Sequence, residues 1–107
     1  MADEVLANIE GQLKKNKVLI FMKGNPKFPQ CGFSDATIRI FESFDYPYET
    51  VDVLADPQIR AGIKSYSNWP TIPQVFVDGK FIGGCDIIRE MHERGELAQV
   101  LKAAFDK

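Results

Sequence analysis

The sequence predicts an α/β domain with a mixed β-sheet between helices, and three observations support this fold class. The continuous apolar run Val18–Met22 has the length and composition of a buried strand. Apolar residues at helical spacing precede and follow this run, so that helices alternate with strands. Two short segments rich in β-branched and aromatic residues flank Asp78-Gly79, the strongest short hairpin signal in the chain. A strand–helix–strand start implies a parallel pair with a right-handed crossover, and the hairpin adds antiparallel strands.

Length, composition and charge narrow the possible classes of protein. A chain of 107 residues is one domain with a single core, and 45% hydrophobic and 26% charged residues are typical of a soluble globular protein. The net charge of −2 gives no basic surface, so we expect no nucleic-acid partner. No apolar stretch approaches membrane-spanning length, so we expect no membrane partner.

The N-terminus and the cysteines predict a reducing compartment. Residues 1–4 are acidic at positions 3 and 4 and lack the pattern of a secretion signal or a transit peptide. We therefore expect a cytoplasmic protein, or one of a mitochondrial or plastid matrix if a presequence was removed. Cys31 and Cys85 are too few for a disulfide scaffold and do not have the C-x-x-C spacing of a zinc site.

One helix is predicted before the buried strand in the sequence and one after it. Segment 1–16 is expected to be an N-terminal helix that the polar residues 14–16 close, and its apolar face consists of Val5, Leu6, Ile9 and Leu13. The second helix follows a proline-bearing loop, and its apolar face consists of Phe33, Thr37, Ile40, Phe41 and Phe44. Residues 45–47 then form a turn, because Pro47 restricts its own backbone and that of the residue before it.

The second half is predicted to contain a strand, a helix, a hairpin and two further helices. Tyr48–Val53 has the composition of a strand, and Asp56 before Pro57 is typical of a helix N-terminus. The fourth helix is expected to begin near Asp86 and to end at Gly95. The inner faces of the last three helices consist of Ile59, Ile63 and Tyr66, then Ile87, Ile88 and Met91, then Leu97, Val100, Leu101, Ala104 and Phe105. The order αβαβαββαα predicts a thioredoxin-like fold, with a central four-stranded mixed sheet flanked by about five helices.

Cys31 is the candidate reactive residue, because it lies between the buried strand and the start of the second helix. Exposed N–H groups and the helix dipole favour an anion at a helix N-terminus. With Lys23 at the start of the same loop, Cys31 should ionise more readily than a free thiol. A thiolate is both a nucleophile and a soft metal ligand, and the alternative is a buried, inert cysteine.

Three collinear blocks of residues resemble the monothiol glutaredoxins of the CGFS class. These blocks are Lys23-Gly24-x-Pro26 with Cys31-Gly32-Phe33-Ser34, then Trp69-Pro70-Thr71-Ile72-Pro73-Gln74, then Gly83-Gly84-Cys85-Asp86. The resemblance runs from about Asn16 to the C-terminus and implies a single glutaredoxin domain over 1–107, with a thioredoxin-like core over 17–107. It also implies that the protein binds glutathione and a [2Fe–2S] cluster and delivers clusters to recipient apo iron–sulfur proteins, often with a BolA-like protein.

The cluster hypothesis requires more thiolates than one chain supplies. A [2Fe–2S] cluster normally takes four ligands, and the resemblance makes Cys31 the one protein ligand in each chain as well as the catalytic residue. Two chains and two glutathione thiols complete the set, so the cluster is expected to bridge a homodimer that is a monomer when apo. Ser34 stands where a dithiol enzyme has its second cysteine, and a hydroxyl cannot resolve a mixed disulfide.

The resemblance also assigns a glutathione site to five residues. Lys23 and Arg60 resemble the contacts to the glycyl carboxylate. Ile72 would pair its backbone with the cysteinyl part of glutathione, in a loop where this fold holds a cis proline. The backbone N–H groups of Cys85 and Asp86 would meet the γ-glutamyl carboxylate, and the Asp86 side chain would take the amino group.

Each of these residues also has a simpler structural interpretation. Lys23 and Arg60 can be solvated surface cations, and Lys64, one helical turn after Arg60, can reinforce the same patch more weakly. Asp86 can be an N-cap, and Cys85 can be an apolar filler or form a disulfide with Cys31. The segment 69–73 can be an ordinary proline turn. Phe33 can shield a cluster or simply head the apolar face of its helix.

Two other functions compete with the cluster carrier. One is a glutathione-dependent oxidoreductase that removes glutathione from proteins through the single thiol Cys31; its activity is expected to be weak at most. The other is a binding module or iron-sensor subunit that works in a complex with a BolA-like protein.

Overall fold

The computed structural model describes residues 3–106, and its helices and strands follow the predicted order. Met1, Ala2 and Lys107 lie outside the described residues, including the first part of the predicted helix 1–16. The elements are α1 (Asp3–Lys15), β1 (Val18–Met22), α2 (Gly32–Glu42), β2 (Glu49–Asp52), α3 (Pro57–Ser67), β3 (Gln74–Val77), β4 (Lys80–Gly83), α4 (Cys85–Glu93) and α5 (Glu96–Phe105). The predicted thioredoxin-like fold with a four-stranded mixed sheet and five helices is confirmed.

The sheet has the strand order β2-β1-β3-β4, with β1 parallel to β2 and antiparallel to β3. The pairs Met22 with Asp52 and Phe21 with Gln74 bring the end of β1, the end of β2 and the start of β3 to one edge of the sheet. The β3–β4 hairpin turns at Asp78 and Gly79, whose φ angles of 55° and 79° suit a type I′ turn.

The fully buried strand β1 divides the core into two layers. Its alternate side chains point to opposite faces, as strand geometry requires. Val18, Ile20 and Met22 pack with apolar residues of α2, α4 and α5, whereas Leu19 and Phe21 pack with those of α1 and α3. Helices therefore cover both faces of the sheet. Along residues 3–106, no helix combines the length and apolar character needed to cross a membrane.

Three predicted core positions are wrong. Phe33 and Ile87 are 61% and 36% exposed, and Tyr66 is 38% exposed although its ring lies 6.2 Å from that of Phe76. Phe33 and Ile87 lie in the first turns of α2 and α4, at the edge of the sheet, and line a surface cleft instead of the core. Helical spacing identifies one side of a helix but does not show where the sheet beneath it ends.

The N-terminus of α3 provides a test of local stability. The Asp56 side chain accepts hydrogen bonds from the N–H groups of Gln58 (3.0 Å) and Ile59 (3.3 Å), as the N-cap prediction requires. Asp56→Ala should therefore lower the free energy of unfolding by about 1 kcal/mol, measured by urea denaturation. Asp56→Asn keeps an acceptor oxygen and should retain most of this stability; an equal loss in both variants would contradict the capping role.

Candidate functional site

A cleft of about 390 Å³ lies at the edge of the sheet where β1 ends and α4 begins. It is lined by Lys23, Phe33, Arg60, Lys64, Trp69, Pro70, Thr71, Ile72, Pro73, Gly84, Cys85, Asp86 and Ile87. All five residues predicted to hold glutathione are in this lining, although they come from four separate parts of the chain. The volume is in the usual range for a small-molecule site.

Cys31 is the N-cap residue of α2. It is not one of the lining residues of the cleft, but Phe33, two residues later in the same helix N-terminus, is. The Sγ of Cys31 accepts a hydrogen bond from the N–H of Ser34 at 3.3 Å and lies 3.2 Å from the Ser34 hydroxyl oxygen. The protonated thiol donates to that oxygen, whereas the thiolate accepts from the hydroxyl. The Ser34 oxygen also accepts from the N–H of Lys23 at 3.1 Å, so the buried serine joins the end of β1 to the cysteine.

The pKa of Cys31 is lowered from its ordinary value of 9.0. Partial burial is the largest single influence and raises the pKa, but the contributions that lower it together outweigh burial. These are the hydrogen bonds of Sγ with the Ser34 side chain and backbone, a backbone hydrogen bond from Phe33, and the positive charge of Lys23. The predicted ease of ionisation therefore has a structural cause, since each of these groups favours the thiolate.

The loop between β1 and Cys31 is held in one shape by its own backbone. The N–H of Gln30 donates to the carbonyl of Lys23 at 2.8 Å, and Gly24 forms an isolated bridge with Pro29. Gly24 has a φ of 88° and an added Cβ would overlap the Phe28 carbonyl oxygen, so only glycine fits this turn. The loop thereby returns the chain to the sheet edge at the residue before Cys31.

Asp52 is a site residue that the sequence did not reveal. Its Oδ1 accepts hydrogen bonds from the N–H groups of Gly24 and Leu54, both at 2.9 Å. It thus ties the end of β2 to the start of the Cys31 loop. The available signal was its position at the end of a predicted strand parallel to β1, because parallel strands end at the same edge of a sheet.

The lining of the cleft includes three positively charged side chains. Lys23, Arg60 and Lys64 all line it, and none of them forms an ion pair within the described part of the chain. The structure therefore brings these three cations into one cleft, which suits a carboxylate ligand.

The N-terminus of α4 also lines the cleft. Its N-cap is Gly84, with no side-chain capping bond, so the alternative interpretation of Asp86 as an N-cap is wrong. Gly84 is needed for close packing, because an added Cβ would lie 3.0 Å from Trp69 Nε1 and 3.2 Å from the Pro73 carbonyl oxygen. The first-turn N–H groups of α4 remain available to an anion.

Cys85 and the proline segment complete the wall. Cys85 is buried and not in a disulfide, and the Arg89 guanidinium donates to its Sγ at 3.6 Å. The Ile72–Pro73 peptide bond is cis, as expected, so the alternative of an ordinary trans proline turn is wrong. Among residues 3–106, the N–H of Ile72 has no hydrogen-bond acceptor, which leaves it available for a ligand backbone.

A family model described as Glutaredoxin matches residues 18–82, which run from β1 through the Cys31 loop to the hairpin. The chain belongs to the glutaredoxin family. This glutaredoxin is 52% identical over 105 residues to a Synechocystis protein named "Uncharacterized monothiol glutaredoxin ycf64-like", with 98% of each chain covered. It is 45% identical over 102 residues to glutaredoxin 4 of Escherichia coli K12, covering 95% of this chain and 89% of that protein. It is thus a monothiol glutaredoxin.

Solved structures agree with this assignment. The solution structure of reduced poplar apo GrxS14 superposes with a TM-score of 0.86 at 41% identity, over 96% of this chain and 94% of that one. A buckwheat glutaredoxin–glutathione complex superposes with a TM-score of 0.80 at 25% identity, over 97% and 96% of the two chains.

The contribution of Ser34 to the Cys31 thiolate can be measured by alkylation. Ser34→Ala removes the hydroxyl 3.2 Å from Sγ, so the pKa of Cys31 should rise and the iodoacetamide rate at neutral pH should fall several-fold. The pH profile, recorded in a Cys85→Ser background, should move to higher pH. Ser43→Ala at the other end of α2 is the matched control and should leave the profile unchanged. An unshifted profile in Ser34→Ala would contradict the role of the hydroxyl.

Proposed function

We propose that this monothiol glutaredoxin binds glutathione in the cleft and holds a [2Fe–2S] cluster between two chains, in iron–sulfur cluster assembly and transfer and in redox homeostasis. The observation that carries the proposal is the pairing of one activated thiol, Cys31, with Ser34 instead of a second cysteine. Such a site cannot close a disulfide with its neighbour, but it can offer one thiolate to a shared ligand set.

The charges along the cleft fit glutathione. Glutathione is an extended tripeptide with a carboxylate at each end and an amine beside one of them. Lys23 and Arg60 suit the glycyl carboxylate, the α4 N-terminus suits the γ-glutamyl carboxylate, and the Asp86 carboxylate suits the amine. The free N–H of Ile72, another residue of the cleft lining, suits the backbone of the cysteinyl residue.

The ligand count favours a cluster shared by two chains. The described residues contain no group of three or more His, Cys, Asp or Glu side chains that could hold a metal ion. One Cys31 from each of two chains and two glutathione thiols supply the four thiolates of a [2Fe–2S] cluster. The loaded form is then a homodimer and the apo form a monomer, and a BolA-like protein can replace one chain. Because half of the ligands dissociate with a small molecule, the cluster is held loosely enough to pass to recipient apo iron–sulfur proteins.

The compartment follows from the same proposal. We place the protein in the cytoplasm, where thiols stay reduced and iron–sulfur proteins are assembled, with a mitochondrial or plastid matrix as the alternative. The names of two relatives support the organellar alternative. A chloroplastic monothiol glutaredoxin-S7 of rice is 47% identical, and a mitochondrial glutaredoxin-related protein 5 of zebrafish is 50% identical. The chain spans 62% of the length of each of these two proteins.

A second candidate function is removal of glutathione from proteins. Its support is the lowered pKa of Cys31, which makes the thiolate an available nucleophile. The thiolate attacks the glutathione sulfur of a protein–glutathione disulfide and releases the protein as a thiolate. A second glutathione thiolate then attacks the Cys31–glutathione disulfide, which yields oxidised glutathione and restores Cys31.

The assignment of Lys23 and Arg60 to a glutathione carboxylate can be tested by measuring ligand affinity. Arg60→Gln and Lys23→Gln should each weaken glutathione binding about ten-fold, since each removes one charge-assisted contact to a carboxylate. Isothermal titration calorimetry at two salt concentrations measures the effect, which should shrink at high salt. Lys27→Gln, which removes a lysine from the same loop but outside the cleft, is the matched control. Equal affinities in all three variants would refute the assignment of the carboxylate site.

The cluster proposal is tested by anaerobic reconstitution with iron, sulfide and glutathione. We expect visible absorption from a brown dimer, detected by absorbance and by mass in solution. Cys31→Ser and omission of glutathione should each abolish the colour and leave a monomer, whereas Cys85→Ser should keep the colour. A colourless wild-type monomer that turns over glutathione mixed disulfides would instead support the enzymatic function.

A further inference from the structure

Gln74 is a fully buried polar residue in the wall behind the cleft. It is the first residue of β3, where it pairs with Phe21, and it has no exposed surface. Its side-chain amide donates to the carbonyl oxygens of Trp69 at 3.0 Å and Thr71 at 3.2 Å. Two acceptors at these distances use both hydrogens of the amide group.

The segment that Gln74 holds has few other hydrogen bonds. Residues 69–73 form neither helix nor strand, and the two prolines at 70 and 73 have no backbone N–H to donate. The Trp69 N–H anchors the segment to α3, because it donates to the Lys64 carbonyl oxygen and to the Ser67 hydroxyl oxygen, both at 3.2 Å. Every residue of the segment nevertheless lines the cleft. Packing also restrains the segment, since Ile72 belongs to the core layer of α1 and α3 and the Trp69 ring lies 5.5 Å from that of Phe81. Among the described residues, however, Gln74 alone donates hydrogen bonds to the carbonyl groups of the segment.

Burial of the Gln74 side chain costs folding free energy, because one of its polar atoms has no hydrogen-bond partner within residues 3–106. Its Oε1 is buried and has no hydrogen-bond partner among the residues that the structure describes. An unsatisfied buried acceptor is destabilising, whereas an apolar side chain of similar length would avoid that cost. The favourable contribution of the Gln74 side chain thus comes from the two hydrogen bonds that it donates to the carbonyl oxygens of Trp69 and Thr71.

We infer that Gln74 is a positioning residue, which holds the Trp69–Pro73 wall in its ligand-binding conformation by clamping two of its carbonyl groups. The part of this inference that concerns glutathione rests on the proposed function. Without the clamp, the wall samples other conformations, and the apparent affinity falls by the fraction of time spent in the competent one. The free N–H of Ile72 lies within this wall, so the orientation of this N–H relative to the ligand depends on the same two hydrogen bonds.

The experiment compares Gln74→Met with Val77→Ala in the full chain. Methionine keeps the length of the side chain and removes both donors, and Gln74→Leu serves as a second apolar variant. Val77→Ala creates a small cavity at the other end of the same strand, roughly 10 Å away by strand geometry, and controls for general destabilisation. Glutathione affinity is measured by calorimetry. Trp69 is the single tryptophan of the chain, so acrylamide quenching of its fluorescence reports on the wall without any ligand.

We expect both Gln74 variants to bind glutathione about ten-fold more weakly and to show stronger acrylamide quenching of Trp69, well below their unfolding temperatures. Val77→Ala should bind and quench like the wild type even if it unfolds at a lower temperature. Unchanged quenching and affinity in the Gln74 variants would overturn the inference, as would equal effects in Val77→Ala. If the wild type binds no glutathione, the proposed function fails, and the quenching of Trp69 alone decides the role of Gln74.

Discussion

The structure depends on the buried central strand β1, whose five residues all lie in the core. Because β1 is central, parallel to one neighbour and antiparallel to the other, its C-terminal end adjoins the end of β2 and the start of β3. Lys23 follows β1 and lines the cleft, and the Asp52 side chain at the end of β2 accepts a hydrogen bond from the Gly24 N–H. The Gln74 side chain at the start of β3 donates a hydrogen bond to the Trp69 carbonyl in the cleft wall. One strand therefore fixes the relative positions of the Cys31 loop, the cations and the proline segment.

Ser34 combines a structural and a chemical role at this edge. Its oxygen receives the Lys23 N–H, and its hydroxyl and backbone N–H both contact Cys31 Sγ. A serine thus stabilises the thiolate through hydrogen bonds while it removes the route by which a neighbouring thiol would close a disulfide. Cys31 is left activated but without an adjacent thiol on its own chain, and in the proposed function glutathione and a second chain complete its chemistry. The same residue favours both the carrier and the slow, glutathione-dependent enzyme, which differ in the external partner.

Local signals in the sequence determined most of the fold and the identity of the reactive residue. The apolar run of β1, the Asp78-Gly79 hairpin and the Asp56 N-cap act over a few residues, so composition and spacing suffice to predict them. The position of Cys31 at a helix start is of the same kind. The glutathione site was predicted by resemblance of residue blocks, and the structure brings those residues into one cleft.

Only the tertiary structure decided which side chains meet at the sheet edge. Phe33 and Ile87 have the spacing of core residues, but their helices begin where the sheet ends, so both face the cleft. Gly84 rather than Asp86 is the N-cap of α4, and it lies where the chain passes close to Trp69, so an added Cβ would make a tight contact. The roles of Asp52 and Gln74 depend on strand register between distant segments, which periodicity within one segment does not encode. Short-range patterns therefore specified the elements, and long-range packing specified their contacts.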